Sequence, residues 1–254
     1  MVSRRGLFFS KMTVGHEEDD EDTMSQQQQP VLLTRELLLS GALQDLLAAM
    51  ACYGEILPEE LFIRSLQQAQ EQAGALDEVW VFGYGSLLWN PAFRFLEQRP
   101  GRLVGFHRRL CLWTPAGRGT EEVPGLVLGL DSGGSCHGGA FLLDRAQVDM
   151  ELEVLWRREM ITGAYRPTWV SVQVGSQRVT ALTFVVNRAH LRYAGRLAED
   201  EIAQAVRRAA GFLGSCEQYV LETHQALVSM GICDSHLHRV LGHLRCLGKM
   251  AALE

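Results

Sequence analysis

The sequence predicts an α+β fold. Short apolar runs of strand type are concentrated in the middle of the chain, between about residues 79 and 186. Segments rich in Leu, Ala, Glu and Gln precede and follow them, and several carry helix-capping residues. Strands and helices do not alternate regularly, as they would in a doubly wound parallel sheet. We therefore expect one α+β domain to which both ends of the chain contribute helices.

Three regions follow from the composition along the chain. Residues 1–30 contain an acidic run and a glutamine run with few apolar residues, and are expected to form a disordered tail. Residues 31–78 are helical in character, with one helix predicted over Arg35–Met50 and a second that opens at Pro58. This N-terminal extension is expected to pack on the core domain, residues 79–254.

The core domain opens with strand patterns. Val79–Phe82 is a short apolar run that stops at Gly83. Further strands are predicted over Leu103–Trp113, Gly125–Leu130 and Gly138–Leu143.

A helix is predicted next, over Arg145–Met160, and a hairpin after it. The hairpin strands are Thr168–Val174 and Arg178–Val186, joined at Gly175-Ser176.

Capping residues mark two helices near the C-terminus. Ser215 and Gln218 have the spacing of a capping box, and Gly231 ends the helix that they open. Asp234 is placed to cap a last helix.

Composition excludes several classes of function. A net charge of −6 and a pI near 5.8 leave no excess of basic residues for nucleic-acid binding. No apolar run approaches the ~20 residues of a membrane span. The six cysteines are scattered, which favours reduced thiols in the cytoplasm, and there is no Cys-x-x-Cys motif. His236, His238 and His243 lack the spacing of a helical metal pair, so no metal is predicted.

The segment Gly83-Tyr84-Gly85-Ser86-Leu87 is one candidate for chemistry. It follows a predicted buried strand, and its two glycines allow a sharp turn and a close approach to a ligand. Successive N–H groups in such a turn can bind a carboxylate or the oxygen of a reacting carbonyl. An ordinary tight turn has the same pattern, so the segment alone does not distinguish a binding site from a structural turn.

Glu159 is the second candidate. At about 100° per residue, Val148, Leu152, Leu155 and Trp156 lie on one helical face, and Glu159 lies about 20° from Val148. Desolvation on that face would raise the pKa of the carboxyl group and make it a base near neutral pH. The alternatives are a helix end that points to water and a pairing with Arg158 or with a neighbouring strand.

Other polar residues are weaker candidates. Arg108 and Arg109 are adjacent on one predicted strand and point to opposite faces, so structural pairing is the default. Arg118, in a glycine-rich loop, is a candidate for binding a substrate carboxylate, although a plain solvent loop fits the same residues. Tyr165 and Tyr219 are both interpreted as packing residues rather than catalytic ones, and Tyr165 is in addition a candidate substrate contact.

Taken in order, these motifs resemble the ChaC family of γ-glutamylcyclotransferases, in particular its bacterial members. The resemblance rests on Val79–Leu87, on Leu103–Phe106, on Trp156–Met160 and on Gly163–Tyr165, and extends from about residue 79 to residue 219. The ordered set is far more specific than any one motif.

The resemblance implies a small mixed β-barrel with surrounding helices, and cleavage of glutathione to 5-oxoproline and cysteinylglycine without a cofactor. It implies that Glu159 is the catalytic glutamate. The residues that it assigns to the γ-glutamyl group are Tyr84, Gly85, Ser86 and Leu87.

Three positions depart from the family pattern, at Leu126, Phe141 and Cys216, where members commonly have Arg, Tyr and Asn. These departures leave open a preference for other γ-glutamyl amines or γ-glutamyl amino acids. A non-catalytic protein that binds γ-glutamyl groups is a further alternative. No oligomeric state follows from the sequence.

Overall fold

The computed structural model describes residues 30–50 and 56–251, with side chains up to residue 247. The predicted disordered tail lies outside the described residues, except for Pro30. In chain order the elements are α1 (Arg35–Leu39), α2 (Ala42–Ala49), α3 (Glu59–Gly74), β1 (Trp80–Gly83), β2 (Glu97–Thr114), β3 (Gly125–Leu142), α4 (Val148–Glu159), β4 (Tyr165–Val174), β5 (Gln177–Val186), α5 (Glu199–Arg208), β6 (Ala210–Gly211), β7 (Gly214–Ser215), α6 (Cys216–Ser229) and α7 (Ser235–Ala251).

Strands β1 to β5 form a closed barrel in the order β1-β3-β2-β4-β5. Neighbours along this order are antiparallel. The barrel closes through a parallel pairing of β1 with β5, in which Trp80 is opposite Ala181 and Val81 is opposite Leu182. The predicted α+β class and the small mixed barrel implied by the resemblance are therefore confirmed.

The two longest strands are bent, and the prediction that β3 is two separate strands is wrong. Gly125–Leu130 and Gly138–Leu143 belong to one 18-residue strand, paired with β2 along its length apart from two register shifts. Gly133 and Gly134, with φ of +96° and +72°, bend the strand at its exposed middle without ending the pairing. The prediction from the sequence ends one strand at Leu130 and begins another at Gly138.

The N-terminal extension contains two short helices where one was predicted over Arg35–Met50. The helix is interrupted at Gly41, whose φ of +79° is incompatible with a continuous helix. The break lets both helices face the barrel, because Leu38, Leu43 and Leu47 belong to the same buried cluster as the barrel side chains.

The helix caps predicted near the C-terminus, at Ser215 and Asp234, are confirmed. Ser215 Oγ accepts the Gln218 backbone N–H at 3.1 Å, and Asp234 Oδ1 accepts that of Leu237 at 2.9 Å. The hairpin of β4 and β5 is also confirmed, whereas α5 was not predicted. None of the helices described between residues 30 and 251 is long and apolar enough to cross a membrane.

Candidate active site

The glycine turn, Gly83–Leu87, follows directly from the end of β1. A Cβ at Gly83 would lie 2.9 Å from the Phe141 ring, and one at Gly85 would lie 3.2 Å from the Tyr219 hydroxyl oxygen. Both approaches are closer than ordinary van der Waals contact, so the sequence needs glycine here for space. The turn can therefore lie directly against the side chains of β3 and α6.

After the second glycine the backbone enters a short 3-10 turn, Ser86–Leu88. The first N–H groups of any helical turn have no partner within it. For Ser86 and Leu87, no backbone or side-chain acceptor occurs among the described residues. The turn thus presents free N–H donors of the kind that bind carboxylate or carbonyl oxygens.

Two side chains fix the turn from behind. The Tyr84 hydroxyl donates to the Phe184 carbonyl at 2.7 Å, so the ring is anchored inside the barrel. Arg108 Nε donates to the Tyr84 carbonyl at 2.6 Å, and its Nη2 donates to the His137 carbonyl at 2.6 Å. Asp234 forms an ion pair with the buried Arg108. Arg108 therefore has the structural pairing expected for it, and it also holds the backbone of the turn.

Glu159 is the last residue of α4 and faces the glycine turn. The helix face that carries it is buried, as predicted, with Val148 8% and Leu152 0% exposed. Its own side chain is 15% exposed and pairs with Arg158, whose Nε donates to Glu159 Oε1 at 3.0 Å. Arg158 Nη2 also donates to Ser86 Oγ at 2.8 Å. One guanidinium group thus joins the carboxylate to the turn.

The pKa of Glu159 is raised above the ordinary glutamate value. Burial is the largest cause, and the nearby charge and hydrogen bond of Arg158 act in the opposite direction. The position at the C-terminal end of a helix further disfavours negative charge. Of the two alternatives weighed from the sequence, the pairing with Arg158 is present, while the carboxylate does not point out into bulk water.

Two adjoining cavities meet at Glu159. The narrow cavity, of about 30 Å³, is lined by Tyr84, Gly85, Ser86, Leu87, Leu128, Glu159, Tyr165, Phe184 and Tyr219. The wide cavity, of about 410 Å³, extends outward from it. Ser86, Glu159, Tyr165 and Tyr219 line both. The structure thus brings together Glu159, the glycine turn and Tyr165, which the sequence identified separately.

Two tyrosines form a wall shared by the cavities. The Tyr165 hydroxyl donates to the Leu128 carbonyl at 2.7 Å, and the Tyr219 hydroxyl accepts the Leu128 N–H at 3.2 Å. Burial raises the pKa of both phenols, which remain protonated at neutral pH. Because the Tyr219 oxygen accepts from Leu128, its own proton stays available to a ligand. Tyr219 therefore has more than the packing role assigned to it from the sequence.

Arg118 also lines the wide cavity, and its loop is packed rather than open to solvent. A Cβ at Gly119 would lie 2.2 Å from the Gly125 backbone nitrogen. The Arg118 guanidinium donates to the Ser215 carbonyl at 3.2 Å and lies over the rings of Trp89 and Tyr219, at 5.7 and 5.8 Å. The plain solvent loop considered from the sequence is therefore wrong.

Sequence reasoning missed three charged residues of the wide cavity, which are Arg158 as a link to the turn and Arg192 and Glu222 as lining residues. The pattern of α4 contained a signal for Arg158, since it is adjacent to Glu159. Nothing in the sequence pointed to Arg192. Within the described ranges, no three His, Cys, Asp or Glu side chains lie close enough to hold a metal ion.

Comparison with known proteins gives a consistent assignment. The family described as ChaC-like protein matches residues 79–246. The glutathione-specific γ-glutamylcyclotransferase of Escherichia coli (strain K12) is 38% identical over 190 residues, which are 72% of this chain and 82% of that protein. The glutathione-specific γ-glutamylcyclotransferase 1 of Homo sapiens is 32% identical over 170 residues, covering 64% of this chain and 77% of that protein.

A crystal structure supports the fold. It is of a yeast γ-glutamylcyclotransferase specific to glutathione and superposes with a TM-score of 0.62 at 20% identity, covering 66% of this chain and 96% of that one. At this identity the likeness concerns the fold alone. The family match covers more than half of the chain and includes the glycine turn, Glu159 and Tyr219. The chain accordingly belongs to the ChaC-like protein family.

Proposed function

We propose that this protein is a γ-glutamylcyclotransferase that cleaves glutathione to 5-oxoproline and cysteinylglycine. The observation that carries the proposal is a largely buried carboxylate, Glu159, that shares a cavity with the N–H groups of the glycine turn. Membership of the family and the glutathione-specific γ-glutamylcyclotransferase activity of the relatives support the same reaction. The substrate is a small molecule, in keeping with the size of the two cavities.

The reaction needs no nucleophile from the enzyme, because the substrate carries its own. The α-amine nitrogen bonds to the side-chain amide carbon of the γ-glutamyl group, and the bond from that carbon to the cysteinylglycine nitrogen breaks. In all, two protons leave the attacking ammonium nitrogen and two reach the departing nitrogen. The enzyme must fold the flexible substrate for attack, move these protons and stabilise the oxyanion.

Glu159 is proposed as the group that moves the protons. It accepts one proton from the attacking nitrogen and gives one to the leaving nitrogen, which returns it to its starting state. The second proton that the attacking nitrogen loses goes to solvent, and solvent supplies the second proton that the departing amine gains. A carboxyl group serves both steps only if its pKa lies closer to neutral than that of free glutamate. Burial raises the pKa of Glu159 in that direction, and the charge and hydrogen bond of Arg158 limit the shift.

The glycine turn is proposed to bind the γ-glutamyl end. Its free N–H groups at Ser86 and Leu87, with that of Gly85, are suited to an anionic oxygen of the substrate. Tyr219 can donate its proton into the same space, and Tyr165 closes the wall beside it. Arg118, which lines the wide cavity beside Tyr219, is proposed to attract the carboxylate of the leaving peptide.

Five cysteines among the described residues are free thiols, at positions 111, 136, 216, 233 and 246. This supports the proposal that the enzyme works in a reducing compartment such as the cytoplasm, where its substrate would also be reduced.

The test is release of 5-oxoproline from glutathione, compared with γ-glutamyl-alanine at equal concentration. We expect both 5-oxoproline and cysteinylglycine from glutathione, in equal amounts. Faster turnover of γ-glutamyl-alanine would replace glutathione with γ-glutamyl amino acids as the substrate class. Saturable glutathione binding without either product would mean a binding protein and refute the enzymatic function.

A further inference from the structure

Two parts of the chain line the wide cavity. The core domain contributes charged residues, among them Arg118, Arg192 and Glu222, as well as apolar ones. Residues 30–49, which we call the N-terminal strap, contribute only apolar residues. The strap residues that line the cavity are Pro30, Val31, Leu32, Leu33, Leu43 and Leu47. The strap lies outside the part of the chain that matches the family, which begins at residue 79.

Hydrogen bonds hold the first residues of the strap, which precede α1, against the core domain. The Val31 N–H donates to the Phe212 carbonyl at 2.8 Å, and Asn90 Nδ2 donates to the Leu33 carbonyl at 3.2 Å. Asn90 also belongs to the site, because its carbonyl accepts from Arg158. The strap therefore has a fixed position relative to Glu159.

A buried ion pair adds to this attachment. Glu151 on α4 is 0% exposed, and its Oε2 accepts from Arg35 on the strap and from the Arg94 N–H at 2.8 Å. Removing one partner of a buried pair leaves an uncompensated charge and is strongly destabilising. The pair thus ties the strap to the helix that carries Glu159.

The arrangement of the cavities decides which part of a substrate meets the strap. If the γ-glutamyl end reaches to the mouth of the narrow cavity, its side-chain amide lies at the residues common to both cavities, Ser86, Glu159, Tyr165 and Tyr219. The leaving group then extends into the wide cavity. Its terminal carboxylate is drawn to the arginines of the core domain, which leaves its first side chain to the apolar strap.

We propose that the N-terminal strap is a specificity wall for the leaving group, which contacts the CH₂–SH group of the cysteinyl residue. This inference rests on the proposed function and extends it to residues outside the family match. A thiol on one methylene behaves as a small hydrophobic group, so an apolar wall suits it. A leaving residue without a side chain gains nothing from the wall.

The test uses one strap substitution and a matched pair of substrates. Leu47→Ala shortens a side chain of the wall, and γ-glutamylglycylglycine differs from glutathione only in lacking the CH₂–SH group. We expect kcat/KM for glutathione to fall about fourfold, mainly through KM, which is the worth of about one methylene of apolar contact. For γ-glutamylglycylglycine we expect a change of less than about twofold.

S-methylglutathione gives the converse readout. Its extra methyl group fits the space that Leu47→Ala opens, so its kcat/KM relative to glutathione should rise about fourfold. General damage to the fold would not produce such a gain. Leu33→Ala, at a half-buried wall position, should act in the same direction if Leu47→Ala folds poorly.

Leu46→Ala is the matched control, because Leu46 lies on the same helix, is 38% exposed and does not line the cavity. It should leave the ratio between the substrates unchanged. If the wild type is active but the strap variants lower kcat/KM for all three substrates in equal proportion, or for none of them, the specificity wall alone is overturned. A wild type that forms no 5-oxoproline from any of the three substrates would refute the proposed function, and the wall with it.

Discussion

Replacing Glu159 by Gln removes the proposed base with almost no change in size. Turnover of glutathione should fall about 10²- to 10⁴-fold, which is the usual contribution of a positioned general base. KM should change much less, because the turn and the wide cavity keep their substrate contacts. Steady-state release of 5-oxoproline over a range of glutathione concentrations measures both parameters.

The fold should survive the Glu159→Gln substitution. A carboxyl pKa raised in the folded state means that stability is fully present below the unfolded pKa and is reduced as the pH rises through the folded pKa. Removing the ionised group at neutral pH therefore relieves a penalty, whereas Arg158 loses a partner charge. The Gln oxygen still accepts the 3.0 Å hydrogen bond from Arg158. We expect the melting temperature to shift by less than about 4 °C, which corresponds to roughly 1 kcal/mol at this chain length.

Glu153→Gln provides the matched control for this experiment. Glu153 is on the same helix and pairs with Arg157 at 2.8 Å, but its side chain is 32% exposed and does not line either cavity. Its substitution should leave turnover within about twofold of wild type. Equal losses in the two variants, or a Glu159→Gln enzyme with wild-type kinetics, would remove Glu159 from the mechanism.

Three further outcomes follow from the structure. Arg158→Met removes the group that lowers the pKa of Glu159, so the acid limb of the pH profile of kcat/KM should move to higher pH; an unmoved limb would mean that another group titrates. Gly83→Ala places a Cβ 2.9 Å from the Phe141 ring and should lower the free energy of unfolding by about 1–3 kcal/mol. Gly242→Ala, in the middle of α7 with nothing within 4 Å, should raise it by about 0.5–1 kcal/mol. Thermal melts that rank the two variants the other way would contradict the packing argument. Dialysis against a chelator should leave 5-oxoproline release unchanged, and loss of activity restored by a divalent metal ion would refute a metal-free reaction.

The fold could be predicted where the signal is local. The hairpin of β4 and β5 and the caps at Ser215 and Asp234 depend on residues within a few positions of one another. The parallel closure of the barrel joins Trp80 to Ala181, about a hundred residues apart, and no local pattern encodes it. For the same reason the sequence predicts a strand that ends at Leu130, because only the partner strand shows that pairing continues past Gly133.

The site was partly predictable because two features break the expected patterns. Glu159 places a charge on an apolar helix face, and Gly83 and Gly85 flank a buried residue directly after a strand. The contacts of Arg158 with Ser86 and of the strap with Glu151 connect distant parts of the chain, so only the folded structure shows them.

The departures from the family pattern have a structural interpretation as well. Leu126, Phe141 and Cys216 are all buried and are absent from the lining of both described cavities. Leu126 and Cys216 also contact each other, since Cys216 Sγ donates to the Leu126 carbonyl at 3.0 Å. The changes therefore lie in packing behind the site and leave its surface intact.

In the proposed mechanism, Glu159 faces the α-amine of a γ-glutamyl group held by the glycine turn. A crystal structure of the Glu159→Gln variant with glutathione would show this arrangement, because the slow variant should retain the uncleaved substrate. We predict the γ-glutamyl end at the mouth of the narrow cavity, with an oxygen within hydrogen-bonding distance of the Ser86 or Leu87 N–H and the α-amine nitrogen next to the side chain at position 159. Glutathione bound with its γ-glutamyl end elsewhere, or with its amine directed away from that side chain, would refute the mechanism.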